Sequence, residues 1–163
     1  PKIKIDVVQL HKEETTRLWK TFSKYHYLSG TLHPASKGYA AFLGDNPVAF
    51  CAVTHFPHPK NKKIKKVHRL VTLPDYQGIG IGVSFLNEVA KFYTEKGYDF
   101  RLVTSAQNLV HALRKNEHWK LVRYGRLKRE KKSKLARMMQ SWDRNTYSFV
   151  YVPVSKVNTK GKS

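Results

Sequence analysis

The chain predicts an α/β (α+β) fold: one mixed central sheet with helices on both faces. Three observations predict it. Segments of strand period and helix period alternate along the chain as β-α-β-β-β-α-β-α-β-β. The length of 163 residues, 40% hydrophobic and 12% aromatic, suffices for a single core. No internal repeat and no linker-like shift in composition divides it, so residues 1–154 read as one domain. Residues 155–163 read as a basic, frayed tail.

Lys2–Gln9 alternates polar with β-branched residues, the mark of an opening strand. A helix follows over about Glu13–Lys24, with two acids in its first turn and Leu18, Trp19 and Phe22 on one face. Tyr25–Lys37, holding Gly30 and Pro34, reads as a loop. Tyr39–Leu43 and Val48–His55 flank Gly44-Asp45-Asn46-Pro47 and predict a hairpin. Val67–Leu73 is the next strand, stopped by Pro74. Phe85, Leu86, Val89, Ala90 and Tyr93 then recur at helical spacing within Val83–Lys96, and Gly97 is placed as its stop. Phe100–Thr104 predicts a strand, Asn108–Asn116 a short helix and Trp119–Arg126 another strand. Lys128–Gln140 is a very basic helix or loop, and Tyr147–Val154 the last strand.

Charge limits the partners. Lys plus Arg number 31 against 11 Asp plus Glu, a formal charge of +20. Such an excess repels itself and speaks of polyanion partners and solubility, not of the fold. It is clustered at Lys60, Lys62, Lys63, Lys65 and Lys66, and again from Arg123 to Arg137, which includes Arg126, Lys128, Arg129, Lys131 and Lys132. Clusters of this density are the footprint expected of a DNA or RNA interface, although a charge run is more often a solvated face. Trp119, Tyr124, Trp142 and Tyr147 interleave with the second cluster and offer stacking surfaces, with core packing the simpler role for Trp119. No apolar stretch approaches a bilayer span and no signal-peptide core opens the chain, so no membrane association and a cytoplasmic location are expected. The single Cys51 excludes an internal disulfide and a cysteine zinc site, and fits a reducing compartment. His55-Phe56-Pro57-His58 has ligand-like spacing without further ligands, so no metal is expected.

The most specific feature is Gln77-Gly78-Ile79-Gly80-Ile81-Gly82, between a strand and an amphipathic helix. Glycines permit positive φ, and a helix start presents free N–H groups to an anion. The spacing fits neither the dinucleotide fingerprint nor the P-loop. It resembles the Arg/Gln-x-x-Gly-x-Gly/Ala signature of the GNAT acyl-CoA N-acyltransferases, through Gln77, Gly80 and Gly82, and Arg69–Tyr76 is similar to that family's approach strand. The resemblance runs from the first strand to Tyr124. It implies a mostly antiparallel sheet splayed between its fourth and fifth strands, with acetyl-CoA or another acyl-CoA in the cleft. The diphosphate would sit on the amides of Gly78, Ile79, Gly80, Ile81, Gly82 and Val83. The pantetheine would run along Leu70, Val71, Thr72 and Leu73, and Asn108 would contact the cofactor. Where many members carry a Tyr that protonates the leaving thiolate, this chain has Arg114. Another group is then the acid, or Arg114 stabilises the thiolate by charge.

Acyl transfer to an amine needs a base, a polarised carbonyl and a proton for sulfur. No residue of Val67–Leu73 is acidic, so a carboxylate base on that strand is missing. His26 and Tyr27, after the first helix, lie in the loop that borders the acceptor site in such folds; packing of Tyr25-His26-Tyr27 is the equal alternative. Asp143 is a second candidate, or a turn residue. Ser105 reads as a donor to the acyl group or acceptor, or more simply as a helix cap. His68 reads as a strand residue rather than a catalyst.

The charge and the loop together predict an acyltransferase acting on a nucleic-acid base or nucleic-acid-bound amine. The basicity and the His26-Tyr27 pair resemble phage-type DNA-modification proteins of the Mom kind, which modify the exocyclic amine of adenine; a phage origin would place the protein in the host cytoplasm. A protein or small-amine acceptor is the alternative within the class. A non-catalytic nucleic-acid-binding module with a degenerate fold is the alternative outside it.

Overall fold

The computed structural model describes residues 4–26, 30–126 and 145–153. Tyr27, Lys128, Arg129, Lys131, Lys132 and Asp143 lie outside the described residues, as does the tail; for Arg126 the backbone alone is described. By its contacts the chain divides into two compact units, Pro1–Arg101 and Leu102–Ser163.

The first unit carries β1 (Asp6–Gln9), α1 (Lys12–Phe22), β2 (Lys37–Leu43), β3 (Asn46–His55), β4 (Ile64–Thr72), α2 (Ile81–Glu95) and the start of β5 (Asp99–Thr104). Strands β1 to β4 form an antiparallel meander, and β5 joins β4 in parallel. The fold is thus mixed and mostly antiparallel, as expected. The strand expected at Val67 starts three residues earlier, at Ile64, and takes Lys65 and Lys66 into the sheet.

Strands β2 and β3 are buried on both faces, and alternation assigns each side chain to one. Phe50 and Ala52 pack with Trp19 and Phe22 of α1, with Ala40 and with Val71. The opposite face receives α2, where the Tyr39 and Tyr93 hydroxyls share a buried hydrogen bond of 2.6 Å. Tyr93 also stacks on Phe100 with ring centroids 5.6 Å apart. Cys51 is fully buried on that face, and burial pushes its thiol pKa up. Helix α2 ends where Lys96 and Gly97 donate back to Tyr93 and Thr94, with Gly97 at φ 88°.

Two irregularities shape β4. Its ladder with β5 pairs Ile64 with Asp99, Lys65 with Phe100 and Lys66 with Arg101. Within this unit Val67–Thr72 ladders onto β3 alone. The β3 ladder pairs Ala52 with Arg69 and Val53 with Val67, so His68 is an extra residue, a bulge. Bulges re-aim side chains and increase local twist.

The second unit holds α3 (Gln107–Lys115) and the antiparallel pair β6 (Trp119–Arg126) and β7 (Asn145–Tyr151). Trp119 is buried with its ring 5.3 Å from Tyr151, the packing role expected of it. Tyr124 is exposed and 4.7 Å from Tyr147. No described helix is long and apolar enough to cross a membrane.

Candidate active site

The glycine loop follows β4 directly. Pro74 opens a 3-10 turn through Tyr76, and the Gln77 side chain turns back to donate to the Thr72 carbonyl at 2.8 Å. Gly78 and Gly80 then take φ values of 82° and 85°, where a side chain is strained. Gly80 is the N-cap of α2, and buried Ile81 anchors the helix start. The first backbone amide after this turn to find an acceptor in the chain is that of Ser84, on Gly80 O at 3.0 Å. The N–H groups of Gly78 to Val83 have no acceptor among the described residues. Six consecutive free donors at a helix start form an anion site without a cationic side chain.

Gly82 has a different reason to be glycine. A Cβ there would come 3.0 Å from Thr72 Oγ1, which is tighter than ordinary contact. The loop therefore lies close over the end of β4. Leu73 N–H donates to Val48 O on β3, so by alternation Leu70 and Thr72 turn their backbone groups to the other edge. The Gln77 bond to Thr72 O agrees with that direction. The Val71 side chain belongs to the α1 core, whereas Leu70 and Thr72, paired with Cys51 and Ala49, lie on the α2 face.

On the α1 face a second polar group gathers. His26 ends the turn after α1, with its ring 6.0 Å from Trp19 in an edge contact. Trp19 Nε1 donates to Gly30 O at 2.7 Å, pinning the start of the following loop. That loop brings the His33 N–H to 3.4 Å from His68 Nε2, while Arg69 Nη1 lies 3.4 Å from His68 Nδ1 and donates to His68 O at 2.8 Å. Burial, then the nearby charges of Arg69, His33, His26 and Lys66, push the His68 pKa down to about 4. The imidazole is neutral at physiological pH.

Sequence reasoning set His68 aside and did not select His33 or Arg69 for this face. No periodicity announces a bulge, and His33 reaches β4 only through the path of an irregular loop. Of the expected catalytic residues the structure places His26 beside this group. Ser105, half-buried in the second unit, does not cap α3: the N-cap is Ala106, whose N–H bonds Thr104 Oγ1 at 3.1 Å. Asn108 and Arg114 are exposed in the first and last turns of α3.

The first lysine cluster lies at the other end of β4 from the glycine loop. At about 3.3 Å per residue the nine-residue strand separates them by about 26 Å. Lys60, Lys62 and Lys63 are exposed on a loop held in place by its own polar groups. Asn61 Nδ2 donates to Asp99 Oδ2 at 2.8 Å, and His58 Nδ1 accepts the N–H groups of Lys60 and Asn61 at 3.1 Å. Asp99 is thus a brace for this loop. Lys65 and Lys66 instead lie over the rings of Tyr98 and Phe56, at 4.9 and 5.2 Å.

A family model described as "Acetyltransferase (GNAT) family" matches residues 4–114. No curated protein matches the chain. Among solved structures it is similar to an acetyltransferase of the GNAT family from Streptococcus pneumoniae. That match has 14% identity and a TM-score of 0.64, over 92% of this chain and 100% of that one. The ribosomal-protein-S18-alanine N-acetyltransferase from Escherichia coli matches at 11% identity and TM-score 0.65, over 91% and 93%. A GNAT acetyltransferase from Elizabethkingia anophelis with acetyl-CoA bound matches at 10% and 0.59, over 93% and 100%. At such identities the likeness is one of fold.

Proposed function

The chain belongs to the GNAT acetyltransferase family, and from that premise we propose that its acceptor is an amine on a nucleic-acid base or an amine associated with nucleic acid. It is an acyltransferase with acyl-CoA as cosubstrate. The cosubstrate supplies an activated acyl group as a thioester. In this reading the amides of Gly78 to Val83 hold the CoA diphosphate, whose charge the α2 start favours. The edge of β4 at Leu70 and Thr72 offers peptide groups to the amide-bearing pantetheine arm. Gln77 supports the loop by holding Thr72 O.

For the chemistry, His26 is the proposed base that takes the proton of the attacking amine, with Tyr27, Ser105 and Asp143 the other proposed catalytic residues. The His26 ring meets Trp19 in an edge contact beside His68, and an imidazole can take up and release a proton near neutral pH. Asn108 and Arg114 remain proposed cofactor contacts on the strength of the family resemblance. Arg114 would favour the thiolate by charge in place of a tyrosine acid.

The observation that carries the acceptor reading is the braced loop presenting Lys60, Lys62 and Lys63 to solvent in a chain of formal charge +20. Because the glycine loop needs no cationic side chain, these lysines are left for a larger phosphate-bearing partner. Their distance from the loop suits an extended strand that lies along the protein while one base is modified. A DNA base modified as in the Mom proteins is the narrowest form of this proposal. Incubation with labelled acetyl-CoA and separate DNA, RNA and protein pools tests it: label is expected in a nucleic-acid pool, and label confined to protein would overturn it.

A further inference from the structure

The basic group on the α1 side of β4 is not used by the cofactor reading, and at its centre the His68 ring sits between two donors. Both ring nitrogens of His68 face donors: Nε2 the His33 N–H and Nδ1 the Arg69 guanidinium, each at 3.4 Å. A neutral imidazole has one lone pair and one N–H. Whichever nitrogen carries the proton, one contact is donor against donor, and in the cation both would be. An acceptor oxygen placed among these groups takes the ring N–H and the donor facing it, and removes the conflict.

We infer that His33, His68 and Arg69 form a subsite for a phosphate group of the acceptor substrate. The inference rests on the nucleic-acid reading above and specifies where that acceptor is held. Three features support it. Among the described residues, the side-chain charges acting on His68 are those of Arg69, His33, His26 and Lys66, all basic groups, so the local field favours an anion. The donors come from two segments, the loop after α1 and the bulge of β4, and converge from different directions, which suits a tetrahedral group with several oxygens better than a planar carboxylate. Finally, the same strand leads through Lys66 to the exposed Lys60, Lys62 and Lys63, a path along which further phosphates of one strand would lie.

The test follows the histidine ring signals of the whole chain by NMR, with CoA saturating so that the glycine loop is occupied. Inorganic phosphate is titrated first, then acetate, then a twelve-nucleotide single-stranded DNA. Phosphate is expected to move the His68 and His33 signals saturably, with acetate at least about tenfold weaker. Arg69→Gln should weaken phosphate about tenfold, and Arg69→Lys should restore part of it, with CoA affinity unchanged in both. A His68 signal unmoved by phosphate, or moved equally by acetate, overturns the subsite. If phosphate moves His68 but the DNA does not bind, the subsite stands and the nucleic-acid acceptor falls. If the DNA binds without moving His68, the subsite falls and the acceptor reading is untouched.

Discussion

Gln77 reaches back five residues to the carbonyl of Thr72, 2.8 Å away, and so ties the glycine loop to the strand that precedes it. The bond spans the reversal through Pro74–Tyr76, whose own backbone contacts are two, Tyr76 N to Leu73 O and Gln77 N to Pro74 O. A glutamine at the head of the family signature thereby has a structural task in this chain: it holds the loop in the shape that leaves six amides open.

Replacing Gln77 with Ala is expected to cost less than about 1 kcal/mol in stability, since the bond is solvent-exposed. Binding should suffer more than folding, with a several-fold higher Kd for CoA by calorimetry. An unchanged Kd would show that the loop keeps its shape without the brace.

Gly80→Ala and Gly82→Ala should fail for different reasons. At Gly80 an added Cβ meets nothing within 4 Å, but φ is 85°, and a left-handed alanine costs about 1–2 kcal/mol. At Gly82 φ is not positive and the obstacle is Thr72 Oγ1 at 3.0 Å. Denaturant melts should therefore rank Gly80→Ala as the less stable. Thr72→Ala should relieve Gly82→Ala and leave Gly80→Ala unrelieved.

The depressed His68 pKa has a stability consequence of definite sign. The folded ring takes its proton near pH 4, the unfolded one near 6.5, so between these values the unfolded chain binds more protons. The contribution of the neutral ring is complete above about pH 6.5 and is lost as pH falls toward 4. Thermal melts should fall more steeply across that window in the wild type than in His68→Gln. Parallel curves would remove His68 as the source.

Tyr93→Phe should destabilise more than the loss of one hydrogen bond suggests. It leaves the Tyr39 hydroxyl buried against α2 with its partner gone, at about 1–3 kcal/mol. Adding Tyr39→Phe removes the stranded group, so the double variant should be more stable than Tyr93→Phe alone. Additive losses in urea melts would contradict this.

If Lys60, Lys62 and Lys63 touch phosphates of a single strand, replacing all three with Ala should flatten the slope of log Kobs against log salt by roughly 2, at about 0.7 per contact. Lys65 and Lys66, lying over aromatic rings, should contribute less. A slope unchanged in the triple variant would assign the lysines to solubility.

Much of the scaffold was legible in the sequence because its elements carry strong period. Trp119–Arg126 emerges with its expected bounds, and α2 is read correctly from Phe85, Leu86, Val89, Ala90 and Tyr93 because all five face one core. The β4 start was misplaced because Lys65 and Lys66 look like loop residues, while their ammonium groups lie over the rings of Tyr98 and Phe56. The glycine loop was legible because only backbone conformation explains its composition. The group around His68 was not, since it depends on one inserted residue in a ladder and on contacts 35 residues apart. Local patterns hold no record of either.

Cys51 has a practical bearing on any assay of this enzyme. It is the only thiol in the sequence, and it is enclosed in β3 with its thiolate form suppressed by burial. A disulfide-exchange dye that reports free CoA will see the product and not the folded protein. Colour without acyl-CoA would therefore signal unfolding, so each turnover measurement carries its own test of the integrity of the sheet.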